Sequence, residues 1–255
     1  MKLKKAIFSA VFILSVTGLY ANPDQELLVR VDSLVSYFDT DFSAKYTFLQ
    51  ERPGQGVSET VAGIFRRDSR ETYVMIIMEP NISKGQGYLK QGNTLWFYDP
   101  ESRIFNTTSN TDRFRNTNAR NSDLTRSSLA QDYRVITGEN ITLGRFQCRL
   151  LTLEAVSNEV TYPRMKVWIS SDGLVRKSEE YSLSGQLLRT SAIPDYHNVN
   201  GRFVPKQIVI VDELRGANIN GKFVNEITRI NISNPSFKKE DDFVFSKTFL
   251  ETFQR

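Results

Sequence analysis

One histidine and one cysteine in 255 residues leave the chain few ways to do covalent or acid–base chemistry. His197 stands in Asp195-Tyr196-His197-Asn198 beside a turn and reads as a loop histidine rather than a general base. Cys148, flanked at alternating positions by Phe146 and Leu150, reads as a small buried hydrophobe. One of each cannot make a Cys/His zinc set or an intrachain disulfide, and neither a metal nor a cofactor is expected. The sequence contains no G-x-S-x-G elbow, H-E-x-x-H pair, Walker A loop or C-x-x-C motif, and Gly85-Gln86-Gly87 followed by Gly92 lacks dinucleotide-binding spacing.

Paired acids are the remaining route to hydrolysis, because a glycosidase needs two carboxyl groups about 5–10 Å apart. The candidates are Glu179/Glu180, Asp241/Asp242, Glu154 and Glu159. Neighbours on a strand point to opposite faces, so Glu179 and Glu180 cannot share a cleft, and the chain is read as a non-enzyme. Arg113, Arg115, Arg120, Arg126 and Arg134 gather against Asp112, Asp123 and Asp132. They read either as a solvated loop or as a contact for anionic head groups or a partner's acidic patch. The formal charge of +4 includes Lys2, Lys4 and Lys5, which leaves no basic surface that would suggest nucleic acid.

Those three lysines open a leader. Residues 1–21 run from a basic start through an apolar stretch to Ala21, the pattern of a cleaved signal peptide, and the stretch is shorter than the roughly 20 residues that span a bilayer. No cysteine follows it to take a lipid anchor, so residues 22–255 are expected as one exported periplasmic domain.

Apolar residues at helical spacing (Leu27, Leu28, Val31, Leu34, Val35, Phe38) predict a helix over 24–38. From Ala44 the period becomes two, and short strand-like runs follow at 58–67, 71–79, 85–90, 94–99 and 102–108. After a polar break at 109–132 they resume at 142–155, 164–170, 174–182, 186–193, 203–213 and 222–233, two of them entered through Asn200-Gly201 and Asn220-Gly221. Connections this short force antiparallel pairing. The expected fold is mainly β: about eleven antiparallel strands curled into a half-open barrel, with the opening helix and a short helical lid over an apolar concave face. In the lid segment 109–132, Ser122-Asp123 is positioned to start a helix, and Phe114, Leu124, Leu129 and a few alanines are the apolar anchors. Asp241 to Phe253 forms a tail with Phe243, Phe245, Leu250 and Phe253 as docking residues.

The strands carry more large apolar side chains than one helix and a sparse lid would cover. Tyr46, Phe48, Ile64, Tyr73, Met75, Ile77, Leu95, Phe97, Met165, Val167 and Ile169 are therefore candidate lining residues of a cavity for acyl chains. The methionines suit a surface that accepts variable chains.

Three segments carry a family resemblance: Phe42-Ser43-Ala44-Lys45-Tyr46-Thr47-Phe48, the strand with Gly63 that ends in Arg66-Arg67, and Gly92-Asn93-Thr94-Leu95-Trp96-Phe97-Tyr98-Asp99-Pro100. Together with the opening helix they resemble the outer-membrane lipoprotein-sorting family, the LolA-like periplasmic carriers. The match covers roughly residues 24–135, and Gly201-Arg202-Phe203-Val204-Pro205-Lys206 is similar to a wider branch of the same group. The resemblance implies a half-open barrel that takes up acyl chains of lipoproteins or lipids, an inner-membrane release complex and an outer-membrane acceptor as partners, and a strand-end arginine that latches the lid, here Arg67. Asp68 stands where the family usually has proline, and the second half is longer than in a typical carrier. The expected function is that of a monomeric periplasmic carrier that shields acyl chains and shuttles them toward the outer membrane. The alternative is a lipid- or peptide-sensing envelope module without cargo transfer.

Overall fold

The computed structural model describes residues 22–253, so the signal-peptide reading of 1–21 lies outside the described residues. Helix α1 (Pro23–Val35) starts where proline tolerates the first turn and the Asn22 side chain accepts the Asp24 amide at 3.0 Å. It buries Leu28 and Val31.

The chain then forms β1 (Phe42–Arg52), β2 (Gly56–Arg67), β3 (Thr72–Glu79), β4 (Gly87–Gln91), β5 (Thr94–Asp99) and β6 (Ile104–Thr108) as a meander. After the polar segment and a single turn α2 (Leu129–Asp132), a second meander runs β7 (Tyr133–Leu143), β8 (Phe146–Ala155), β9 (Arg164–Ser170), β10 (Val175–Tyr181) and β11 (Leu187–Ala192). A hairpin, β12 (Tyr196–Val199) with β13 (Arg202–Pro205), leaves the sheet before β14 (Gln207–Ile219) and β15 (Lys222–Ser236) return to it. The strand order β6-β5-β4-β3-β2-β1-β15-β14-β11-β10-β9-β8-β7 makes one thirteen-stranded antiparallel sheet that does not close, with β6 and β7 as its edges. The β1–β15 pair joins the two meanders, so the first and last strands meet in the middle of the sheet.

The structure contains more strands than the sequence reading expects. The run read as 142–155 is two strands folded at Gly144, whose φ of +55° suits glycine. The first of these, β7, is an edge strand whose mostly exposed residues give no alternating signal. The 203–213 run divides at Lys206 in the same way, and β12 is too short to register as a run.

Curling gives the sheet two unlike faces. Within the concave face, Phe42, Tyr46, Phe48, Ile64, Tyr73 and Met75 belong to one cluster, and Leu151, Val167 and Ile169 pack with Leu28 and Val31 of α1 in another. On the convex face Val74, Ile76, Leu89 and Tyr98 are covered by the tail, which adds a 3-10 turn (Asp242–Phe245) and α3 (Lys247–Thr252). Gly87 permits that docking, because a Cβ there would sit 2.5 Å from Leu250 Cδ2. Gly87→Ala is expected to displace the tail, costing about 1–3 kcal/mol, with amide exchange rising over 241–253 and unchanged in β1; unaltered exchange in the tail would refute this account of Gly87.

Candidate functional site

The concave face is covered by α1, the β12–β13 hairpin and the polar segment 109–128, and these covers differ in what they do. Tyr37, just past α1, donates its hydroxyl to Phe203 O at 2.6 Å, tying helix to hairpin. Within the polar segment the expectation of a short helical lid needs correction: its first part is an irregular plug. Phe114 is 0% exposed and its ring lies 4.5 Å from that of Phe48 and 5.4 Å from that of Tyr88. Buried Asn118 donates its backbone N–H to Thr228 Oγ1 at 2.8 Å, and Arg113 pairs with Asp212 at 2.5 Å. The polar composition of the segment is explained by these contacts, since an irregular loop inside a barrel must satisfy its own backbone. Leu124 is buried, but it lies in a 3-10 turn (Asn121–Leu124), and α2, where Leu129 packs toward α1, is one turn long.

Between the plug, the helix and the sheet is a chamber of ≈ 700 Å³. Tyr46, Tyr73, Met165 and Val167 line it, as do Ile210 and Ile230, which the sequence reading did not single out. Phe48, Ile64, Met75, Ile77, Leu95, Phe97 and Ile169 lie on the same concave face but pack into its clusters and do not reach the chamber. Plug insertion accounts for much of this, because Phe114 occupies the space above Phe48.

The face is also less apolar than expected. Inward positions of β10 and β11 carry Ser178, Glu180, Arg189 and Ser191, all buried and all in the chamber wall. Arg189 holds Asp123 of the 3-10 turn through both amino groups at 2.7 and 3.0 Å and Glu180 through Nε at 3.3 Å, while Ser178 donates to Glu180 at 2.7 Å. Burial works against the charge on Arg189, but the carboxylates of Asp123 and Glu180 outweigh it and hold the guanidinium charged. Alternation on β10 placed Glu180 on one face; only pairing with β9 and β11 shows that this face is the inner one.

The role implied for Arg67 is overturned in the same way. Arg67 lies on the outer side, where it binds Asp41 at 2.8 Å, pairs with Asp242 of the tail and stacks 4.2 Å from the Phe245 ring. It fastens the tail. Its neighbour Arg66 faces inward, bound to Asp68 at 2.7 Å, to Val35 O of α1 at 3.3 Å and to Thr125 O of the polar segment at 3.5 Å. A strand reverses its face at each residue, so a one-residue difference decides which cover an arginine holds.

Of the remaining candidates, Glu179 is on the opposite face from Glu180 and bonds Lys177 at 2.6 Å. Glu154 pairs with Arg134 at the sheet edge, and Asp241 caps the tail's 3-10 turn. His197 Nε2 lies 2.9 Å from Ile232 O, and burial pushes the Cys148 thiol above its ordinary value. Lys90 is different. It lines the chamber at 9% exposure, and Nζ donates to Gly92 O at 2.5 Å with no carboxylate partner among the described residues. Burial draws its pKa down, partly offset by Glu71.

A half-open antiparallel barrel with a helix across its concave face is the LolA-like fold, and solved structures agree. A LolA superfamily protein from Nitrosomonas europaea is similar at 23% identity and a TM-score of 0.73, over 88% of this chain and 98% of that one. An outer membrane lipoprotein-sorting protein domain from Vibrio parahaemolyticus, so described, aligns at 16% identity with a TM-score of 0.77, over 89% and 97%. A DUF1329 family protein from Desulfovibrio piger aligns at 18% identity with a TM-score of 0.76, over 89% and 98%. The model of a family described as an uncharacterized protein matches residues 69–252, and the chain belongs to that family. No curated protein matches the sequence. Among the described residues no helix is long and apolar enough to cross a membrane.

Proposed function

We propose that this chain is a non-catalytic periplasmic carrier that takes an acyl chain of a lipid or lipoprotein into the chamber and shuttles it toward the outer membrane. The observation that carries the reading is the chamber itself: ≈ 700 Å³ between the concave sheet and its covers, with Tyr46, Met165, Val167, Ile210 and Ile230 in its wall. Its volume falls within the range of about 300–1,000 Å³ typical of small-molecule sites. Each methylene moved from water to such a wall contributes about 0.8 kcal/mol, so one chain is enough for tight binding. Movement of the 3-10 turn held by Arg189 would widen the way into the chamber for exchange with a membrane.

Native mass spectrometry of the chain lacking residues 1–21, purified without detergent, tests the proposal. Near-stoichiometric acyl species are expected, and Val167→Asp in the chamber wall is expected to lower their occupancy at least tenfold, because an unpaired carboxylate would be buried. A folded parent protein that is empty and takes up no fluorescent fatty acid would shift the assignment to the sensing module.

A further inference from the structure

Which head group the chamber takes is constrained by the one cation in its wall that has no carboxylate partner, an argument that rests on the acyl-binding reading above. A methylene occupies roughly the volume of a water molecule, about 30 Å³, so a sixteen-carbon chain fills some 500 Å³. The chamber of ≈ 700 Å³ is partly open and takes in at least one such chain.

The four cations in its wall are Arg66, Lys90, Arg126 and Arg189. Arg66 is bound to Asp68, Arg126 to Glu71 at 2.5 Å, and Arg189 to Asp123 and Glu180. Lys90 alone among them lacks a carboxylate within 4.0 Å among the described residues, and its single hydrogen bond is to a backbone carbonyl. Across the ladder from it stands Tyr73, 1% exposed, whose hydroxyl is buried without a hydrogen-bond partner. A cation at low exposure without a carboxylate, and a buried hydroxyl without a partner, are each costly unless something they bind is present. They lie beside the β4–β5 turn, where Asn93, exposed, forms part of the chamber rim. Apolar residues Ile210, Ile230, Val167 and Met165 line the wall contributed by the other strands. This is the arrangement of a head group at the rim with a chain running inward.

We infer that the chamber binds an acyl amphiphile with an anionic head, a carboxylate or a phosphate, seated on Lys90.

The full chain, stripped of lipid, is offered palmitate, palmitoyl lysophosphatidate, neutral monopalmitoylglycerol and two-chain dipalmitoyl phosphatidate. Affinity is read by displacement of a fluorescent acyl probe and stoichiometry by native mass spectrometry. Binding of the acids is expected, the tighter of palmitate and lysophosphatidate identifies the head as carboxylate or phosphate, and phosphatidate is expected to depend on Lys90 in the same way. Lys90→Met is expected to weaken both acids by about tenfold or more while leaving monopalmitoylglycerol within about twofold, since only a charge-assisted contact is lost. Lys90→Arg, which keeps the charge, retains acid binding, and an unchanged thermal midpoint in both variants shows that the fold is intact. Palmitate and lysophosphatidate bound equally by parent and Lys90→Met would overturn the anionic seat. Binding of monopalmitoylglycerol alone would overturn this inference and leave the acyl-binding reading intact, whereas binding of none of the four would remove both.

Discussion

Arg189→Met is expected to destabilise the protein by about 3–5 kcal/mol, because it leaves the carboxylates of Glu180 and Asp123 without their counter-charge. Glu180 is 1% exposed and receives one other side-chain hydrogen bond, from Ser178. Asp123 keeps only the Arg120 amide at 2.7 Å. The variant therefore loses a cross-link between sheet and 3-10 turn as well as a balanced charge. A urea midpoint measured for Arg189→Met, and for Arg189→Met combined with Glu180→Met, separates the two effects. The double variant is expected to regain a substantial part of the loss, since removing the orphaned charge removes its desolvation cost. A single variant within about 1 kcal/mol of the parent would mean that water reaches this cluster and that the turn is held by other contacts.

Phe114→Ala is expected to cost about 3–5 kcal/mol, the loss typical of a fully buried aromatic whose site cannot collapse. Its site is walled by Phe48 and Tyr88, which belong to the continuous ladder of β1 through β4 and cannot close the gap without distorting it. The void should stay dry and accept a small apolar guest, so benzene near saturation is expected to restore part of the thermal midpoint in the variant and to leave the parent unchanged. A phenylalanine on a solvated lid would lose no more than about 0.5 kcal/mol. The measurement therefore decides whether residues 113–119 belong to the core or merely cover it.

The two variants concern residues whose surroundings were differently legible in the sequence. The alternation of Tyr46 and Phe48, and of Tyr73, Met75 and Ile77, is a period-two signal, and all of these side chains lie on the concave face. Phe114 gave no such signal, because a plug has neither helical nor strand periodicity and its asparagines and arginines resemble those of a solvated loop. Arg189 stands between residues of mixed character on a short strand, with nothing local to mark it as 8% exposed.

The amino-acid sequence alone determined the order of elements: one amphipathic helix, short strands joined by connections too brief for crossovers, and therefore an antiparallel curled sheet. These are local properties, set by side-chain spacing and by turn residues such as Asn220-Gly221, where φ is positive at both positions. The tertiary structure alone decided which face of each strand is inward, that β15 returns beside β1, that Arg66 faces the chamber while Arg67 holds the tail, and that Glu180 and Lys90 end inside the fold. Alternation assigns residues to two faces without saying which is buried, and that choice is made by strands and loops far away in the chain.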